Sequence, residues 1–120
     1  MKILIADSHD QVRFALRVML SRQSGLEVAG EAADGPQLLA LVRAETADLV
    51  LVDWELPGLA GVGGLTAIHG AGPSLRLVVL TSQLGVRQAA AGNGVDAFVS
   101  KGDPPGRLLA VIRQYDRMTG

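Results

Sequence analysis

The stretch LVLVDWELPG, residues 49–58, joins an apolar run to an acid and then to a turn. Consecutive apolar residues without alternation are typical of a strand that is covered on both faces in a parallel sheet. We predict this strand from Asp48 to Val52, with Asp53 at its carboxyl end. Pro57-Gly58 then turns the chain. The stretch therefore predicts a central strand that delivers a carboxylate to one edge of a sheet.

Four other segments have the character of strands, and three of them are apolar runs of the same kind. The fourth alternates apolar and polar residues, which is typical of a strand with one exposed face at the edge of a sheet. The three apolar runs are Lys2–Ala6, Leu75–Leu80 and Val95–Ser100, and the alternating segment is Leu26–Ala32.

Helical spacing of apolar residues separates these strands. The second helix starts at Asp34-Gly35-Pro36, because proline suits the first helical position, and Leu108, Leu109 and Ile112 mark the last one. We predict the third helix over Ala60–Gly70, although this segment contains four glycines. Each glycine costs about 1 kcal/mol in a helix interior relative to alanine. The remaining predicted helices are His9–Arg22 and a short fourth helix, Val86–Ala91.

Alternating strands and helices with short connections predict an α/β fold, a five-stranded doubly wound parallel sheet with helices on both faces. The alternating strand belongs at an edge and the first and third strands at the centre, which the flavodoxin-like order 2-1-3-4-5 satisfies. No linker, repeat or low-complexity tract interrupts the pattern. We expect one domain over residues 1–120.

Composition excludes several function classes. The 120 residues are 48% hydrophobic and 19% charged, with a formal net charge of −1. With this near-neutral net charge, the chain lacks the excess of basic residues that direct nucleic-acid binding requires. No apolar stretch approaches the roughly 20 residues that span a bilayer, and the absence of cysteine excludes disulfides and thiolate metal sites. We expect a cytoplasmic protein without membrane contact.

Four chemically useful residues end strands of the predicted sheet. They are Asp7, Asp53, Thr81 and Lys101. Carboxyl ends of parallel strands share one edge, where ligands bind at the topological switch point. Two carboxylates held close together repel each other, and Mg²⁺ relieves that repulsion through hard oxygen ligands. With lysine and threonine to hold the transferred oxygens, Asp53 is a candidate nucleophile for phosphoryl transfer.

The chain resembles the receiver domain of bacterial two-component response regulators over essentially its whole length. The resemblance is carried by ILIADSH, LVLVDWELPG, VVLTS and GVDAFVSKGDPP, in this order. It implies that Asp53 accepts phosphate from a sensor histidine kinase, Lys101 contacts the phosphoryl group, Thr81 swings toward it and Phe98 follows inward as the switch aromatic. The fourth helix, fifth strand and fifth helix would carry the output or a homodimer contact. KGDPPGRLLAVI is more similar to receivers that precede a helix-turn-helix DNA-binding domain.

The sequence departs from the family at the metal site, where Ser8 replaces the second of two adjacent acids. Asp7, Asp53 and Glu55 are then the expected metal residues, with the side chain of Glu55 in partial compensation. Because serine is neutral, we predict weaker Mg²⁺ binding and slower phosphorylation. Ser8 itself is expected to cap the first helix, and His9 to be a surface residue near this edge.

Two alternatives stay open. A degenerate receiver, weakened by Ser8, would act as a phosphorylation-independent interaction or dimerisation module. A phosphohydrolase would use Glu55, two residues after Asp53, to serve the leaving group, although the domain has no cap to exclude water. We expect no turnover enzyme, because a receiver catalyses only its own modification.

Overall fold

The computed structural model of the chain describes residues 1–59, 61–83, 85 and 94–119. Its strands are β1 (Lys2–Ala6), β2 (Glu27–Ala32), β3 (Leu49–Asp53), β4 (Arg76–Thr81) and β5 (Val95–Ser100). Its helices within these residues are α1 (Asp10–Ser21), α2 (Gly35–Ala44), α3 (Gly61–Ala71) and α4 (Pro105–Thr119). The predicted fourth helix, Val86–Ala91, lies outside the described residues.

The strands form one parallel sheet in the order β2-β1-β3-β4-β5, which confirms the predicted topology. The alternating strand β2 is at an edge, as predicted, and β1 and β3 are neighbours at the centre. Ala6 pairs with Val52 and Thr81 pairs with Ser100. The carboxyl ends of β1, β3, β4 and β5 therefore finish close to one another along a single edge.

Side chains on both faces of the sheet are buried, which explains the unalternating apolar runs. On one face Leu4, Val50 and Val79 pack with Leu38 of α2 and Ile68 of α3. On the other face the alternate residues of the same strands pack against the remaining two helices. That second cluster includes Ile5, Leu51, Val78, Leu20 and Ile112. The two layers of helices hold the sheet, and with it the edge where the polar strand ends meet.

The glycine-rich segment folds as the helix α3 despite its poor helix propensity. Leu65 and Ile68 are almost completely buried against the sheet, so tertiary packing outweighs the cost of the glycines. The prediction that Ser8 caps α1 was wrong. The N-cap residue is His9, and its side chain makes no capping hydrogen bond.

None of the helices in the described ranges combines the length and the apolar character needed to span a bilayer.

Candidate functional site

Asp53 and Lys101 form an ion pair at the carboxyl edge of the sheet. Asp53 is the last residue of β3 and is 1% exposed. Lys101 follows β5, and its Nζ lies 2.9 Å from Oδ1 of Asp53. The backbone N–H of Lys101 donates to the carbonyl of Thr81 at 2.9 Å, which holds the start of this loop against β4. The lysine thus reaches across β4 to the central strand, as the strand order predicts.

Asp7 is the second carboxylate of the site. It follows β1, is 1% exposed, and its backbone N–H donates to the carbonyl of Ala32 at 3.0 Å. Oδ1 accepts a hydrogen bond from the backbone N–H of His9 at 2.8 Å. Oδ2 lies 3.7 Å from Nζ of Lys101, too far for a hydrogen bond. Among the described residues, Oδ2 of Asp7 is a buried polar side-chain atom without a hydrogen-bond partner.

Thr81 ends β4 at the same edge and is buried. Its Oγ1 accepts a hydrogen bond from the backbone N–H of Gln83 at 3.0 Å. The strand on which it lies is also tied to the acceptor strand, because the N–H of Trp54 donates to the carbonyl of Leu80 at 2.9 Å. The hydroxyl therefore has a fixed starting position at the edge of the sheet where the two acids lie.

Glu55 is placed differently from the expected compensating ligand. Its backbone N–H donates to Oδ1 of Asp53 at 3.1 Å. Its exposed carboxylate instead accepts a hydrogen bond from the side-chain amide of Gln83 at 2.5 Å. The group of closely spaced potential metal ligands in the described part of the chain consists of Asp7, His9 and Asp53. The structure therefore brings Asp7 and Asp53 together, without the side chain of Glu55.

His9 is the residue that sequence reasoning missed. Its Nδ1 lies 3.0 Å from Oδ1 of Asp7, and one ligand atom each of Asp7, His9 and Asp53 lie within 4.8 Å of one another. The signal was the Asp-x-His spacing directly after β1, because the turn that starts α1 brings the second following residue back over the acid.

The donor set fits a divalent cation. Two buried carboxylates face a single ammonium, and one carboxylate oxygen has no hydrogen bond to give up when a cation approaches. Hard cations take oxygen ligands of this kind. Asp7 and Asp53 are the residues that would hold the ion, with His9 on the solvent side.

Phe98 lies on β5, paired with Val79. It is partly buried against the cluster that faces α2 and α3, and Trp54 packs against the same cluster. The side chain of Trp54 therefore lies on the opposite face of the sheet from that of Asp53, as the alternation of side chains along a strand predicts.

Comparison with known proteins identifies the family. The sequence model of the response regulator receiver domain matches residues 3–113. The response regulator protein VraR of Staphylococcus aureus is 30% identical over 118 residues, which make up 97% of this chain. The match covers 56% of VraR, so the chain spans little more than half the length of this curated relative.

Solved structures agree with this match. RcsB from Salmonella enterica serovar Typhimurium, bound to promoter rprA in the presence of the phosphomimetic BeF3−, superposes with a TM-score of 0.88 at 26% identity. The alignment covers 97% of this chain and 98% of that chain. A LuxR-family two-component response regulator from Aurantimonas sp. SI85-9A1 gives a TM-score of 0.86 at 30% identity, over 94% of this chain and 82% of that chain.

Receiver domains typically bind Mg²⁺ at an acidic pocket, and Asp7 and Asp53 with His9 form such a pocket at the carboxyl edge of the sheet. The strand order, the position of the acids and the match over residues 3–113 agree. The chain belongs to the response regulator receiver domain family, the signalling module of two-component systems.

Proposed function

We propose that this receiver is a phosphoacceptor switch in which Asp53 takes a phosphoryl group from a sensor histidine kinase. The observation that carries the proposal is the contact of 2.9 Å between the Lys101 ammonium and the buried Asp53 carboxylate. Asp7 and Thr81 lie at the same edge, so a phosphoryl group on Asp53 would meet an ammonium and a hydroxyl. An isolated acid at a strand end would have neither.

The transfer uses groups already in place. Oδ1 of Asp53 accepts hydrogen bonds from Lys101 and from the backbone N–H of Glu55, so we assign the attack to Oδ2. A bond forms between Oδ2 and phosphorus while the bond from phosphorus to the donor nitrogen of the kinase histidine breaks. The bonding pair stays with that nitrogen. Lys101 and Thr81 bind the transferred oxygens, and a divalent cation, when bound, offsets their negative charge.

The switch would follow from the movement of Thr81. Its Oγ1 exchanges the hydrogen bond from Gln83 for one to the phosphoryl group, and Phe98 moves inward behind it. β5 and α4, with the predicted helix Val86–Ala91, then present an altered surface to an output or to a second copy of the chain. Because VraR is named a response regulator and RcsB has been solved on promoter DNA, we propose that the output is transcriptional.

The same proposal includes a cytoplasmic setting and a Mg²⁺ site weakened by Ser8. It also assigns no turnover of a metabolite to the domain. Its direct partner is the kinase, and DNA contact would belong to residues outside this domain.

The test is incorporation of phosphate from acetyl phosphate in the presence of Mg²⁺, measured by intact-protein mass. We expect one phosphoryl group on the wild type and none on Asp53→Asn. Asp48→Asn is the matched control, because Asp48 directly precedes the same strand at the opposite end of the sheet, where its Oδ2 accepts from the backbone of Lys2. Incorporation that persists in Asp53→Asn contradicts the proposal.

A second candidate is a receiver that acts as an interaction or dimerisation module without phosphorylation. The observation that favours it is the small number of acidic groups that the pocket leaves available for a metal ion. Ser8 is neutral, Glu55 is engaged with Gln83, and Lys101 already faces both carboxylates. Trp54, the single tryptophan, adjoins the acceptor and reports on the site. Fluorescence that stays unchanged on addition of Mg²⁺ and then beryllofluoride, but responds in Ser8→Asp, identifies this second function.

A further inference from the structure

The imidazole of His9 turns toward the acidic pocket instead of serving the helix that it begins. His9 occupies the N-cap position of α1 in an extended conformation, and its side chain makes no capping bond. Its Nδ1 lies 3.0 Å from Oδ1 of Asp7 and 3.5 Å from Oγ of Ser8. The ring is 69% exposed, so its position is not imposed by burial in the core.

The low net charge of the pocket limits how tightly any divalent cation binds, Mg²⁺ included. Asp7 and Asp53 supply two negative charges, and Lys101 returns one positive charge at 2.9 Å from Asp53. Ser8 contributes none. Mg²⁺ is bound mainly through charge and oxygen ligands and gives up its water reluctantly, so the two carboxylates would hold it more weakly than a pocket with a third acid.

The same pocket offers a nitrogen donor beside two carboxylates. Imidazole is a good ligand for borderline divalent metals such as Zn²⁺, whereas Mg²⁺ is served by oxygen. The three ligand atoms lie within 4.8 Å of one another. Two ligands of one tetrahedral Zn²⁺ lie about 3.4 Å apart, so the widest pair of the group has to contract by up to about 1.4 Å.

A second feature points to a ligand independently of this spacing. Oδ2 of Asp7 belongs to a side chain that is 99% buried, faces the pocket, and has no hydrogen-bond partner among the described residues. The Lys101 ammonium lies 3.7 Å from this oxygen, beyond hydrogen-bonding distance, and a buried carboxylate oxygen without a hydrogen bond is costly. A cation bound by Asp7 would remove that cost.

We propose that Asp7, His9 and Asp53 form a site for a borderline divalent transition-metal ion, with His9 setting the preference over Mg²⁺. The proposal deepens the proposed function, since it names the class of metal for the same pocket and shares Asp53 with it. The presence of Ser8 where the family has a second acid then marks a change in metal class rather than only a loss of metal binding.

The test is calorimetric titration of the metal-free chain with Zn²⁺ alone and with Mg²⁺ alone. We expect Zn²⁺ to bind at least about tenfold more tightly than Mg²⁺. His9→Ala should lose about tenfold or more in Zn²⁺ affinity and change Mg²⁺ affinity by less than about twofold. His69→Ala is the matched control, because it removes the other histidine of the chain and should change neither affinity. His9→Gln, read by circular dichroism, checks that the fold persists.

Equal Zn²⁺ affinity of the wild type and His9→Ala, or no preference for Zn²⁺ in the wild type, overturns the proposal. Phosphorylation from acetyl phosphate is measured in parallel with Mg²⁺. Phosphate on Asp53 without the His9-dependent preference refutes the metal site alone. The preference without any phosphate incorporation supports the metal site and refutes the phosphoacceptor function alone.

Discussion

The Lys101 ammonium lies 2.9 Å from Oδ1 of Asp53, although the two residues follow different strands with β4 between them. The same nitrogen is 3.7 Å from Oδ2 of Asp7. One cation therefore faces two almost fully buried carboxylates, and the pocket keeps one excess negative charge. Both the chemistry and the stability of the domain depend on how this charge is balanced.

Replacing Lys101 with methionine should destabilise the metal-free domain by about 1–2 kcal/mol. This is less than the 3–5 kcal/mol typical of a fully buried pair, because the Lys101 side chain is 31% exposed and partly screened by water. Added Mg²⁺ should recover most of the loss, since it supplies the missing positive charge. Urea unfolding with a chelator and with Mg²⁺ measures both effects.

The control for that experiment is Lys2→Met, which removes the other lysine of the chain at the exposed start of β1. It should leave the response to Mg²⁺ unchanged. A Lys101→Met variant as stable as the wild type in chelator would show that the lysine does not compensate the two acids.

Ser8→Asp should raise Mg²⁺ affinity about tenfold or more, because it returns a carboxylate to the position where the family has its second acid. The same change should lower stability without metal, since three acids then share one ammonium. Titration followed by Trp54 fluorescence measures the affinity. Ser8→Asn has a side chain of similar size without the charge, and it should match the wild type. Equal gains in both variants would attribute the effect to size.

Much of the fold could be predicted because the hydrophobic pattern of each strand agrees with the position of that strand in the sheet. The apolar run of Leu49–Val52 needs cover on both faces, and the alternation in Leu26–Ala32 places that strand at an edge. Strand ends were misplaced by single residues, as at Asp53 and Thr81, which belong to their strands. A boundary depends on hydrogen bonds between strands, which hydropathy does not encode.

The site could be predicted only in part. Convergence of Asp7, Asp53, Thr81 and Lys101 follows from parallel topology, and the structure brings these residues to one edge. The orientations of exposed side chains do not follow from topology. Glu55 turns to an amide two residues beyond Thr81, and His9 turns back over Asp7. Each orientation depends on side-chain hydrogen bonds that no periodicity predicts.

Gln83→Ala tests the hydrogen bond that holds the Glu55 carboxylate. Without the amide at 2.5 Å, Glu55 is free to turn toward the two acids, so Mg²⁺ affinity should rise by a few-fold. The double variant Gln83→Ala, Glu55→Gln should lose that gain, because the amide that replaces the carboxylate carries no charge. Calorimetric titration with Mg²⁺ compares them. An unchanged affinity in Gln83→Ala would exclude Glu55 as a potential ligand.

Two adjacent glycines of α3 should respond oppositely to alanine. A Cβ on Gly63 meets nothing within 4 Å, whereas a Cβ on Gly64 would overlap the carbonyl oxygen of Leu59. Gly63→Ala should stabilise the domain by about 0.5–1 kcal/mol through helix propensity, and Gly64→Ala should destabilise it. Thermal unfolding measures both. Equal stabilisation by the two substitutions would show that the Leu59 carbonyl can move aside.

Tyr115 links α4 to the start of β5. This contact lies at the amino end of the parallel strands, opposite the acidic edge. Its hydroxyl donates to the backbone carbonyl of Asp96 at 2.8 Å. Burial raises the pKa of Tyr115 above 10.0, and the negative charge of Asp96 raises it further, while Arg76 opposes both effects. Tyr115→Phe should cost about 1 kcal/mol at neutral pH through the lost hydrogen bond.

The pH dependence of that cost follows from the raised pKa. Above pH 10 the unfolded chain releases the tyrosine proton while the folded chain keeps it, so the stabilising contribution of the hydroxyl is complete below pH 10 and is lost as the pH rises through the folded pKa. The difference in unfolding free energy between the wild type and Tyr115→Phe should therefore be constant below pH 10 and shrink above it. Since the chain has one tyrosine, the absorbance of tyrosinate follows its ionisation directly. Ionisation of the folded protein at or below pH 10 would contradict the prediction.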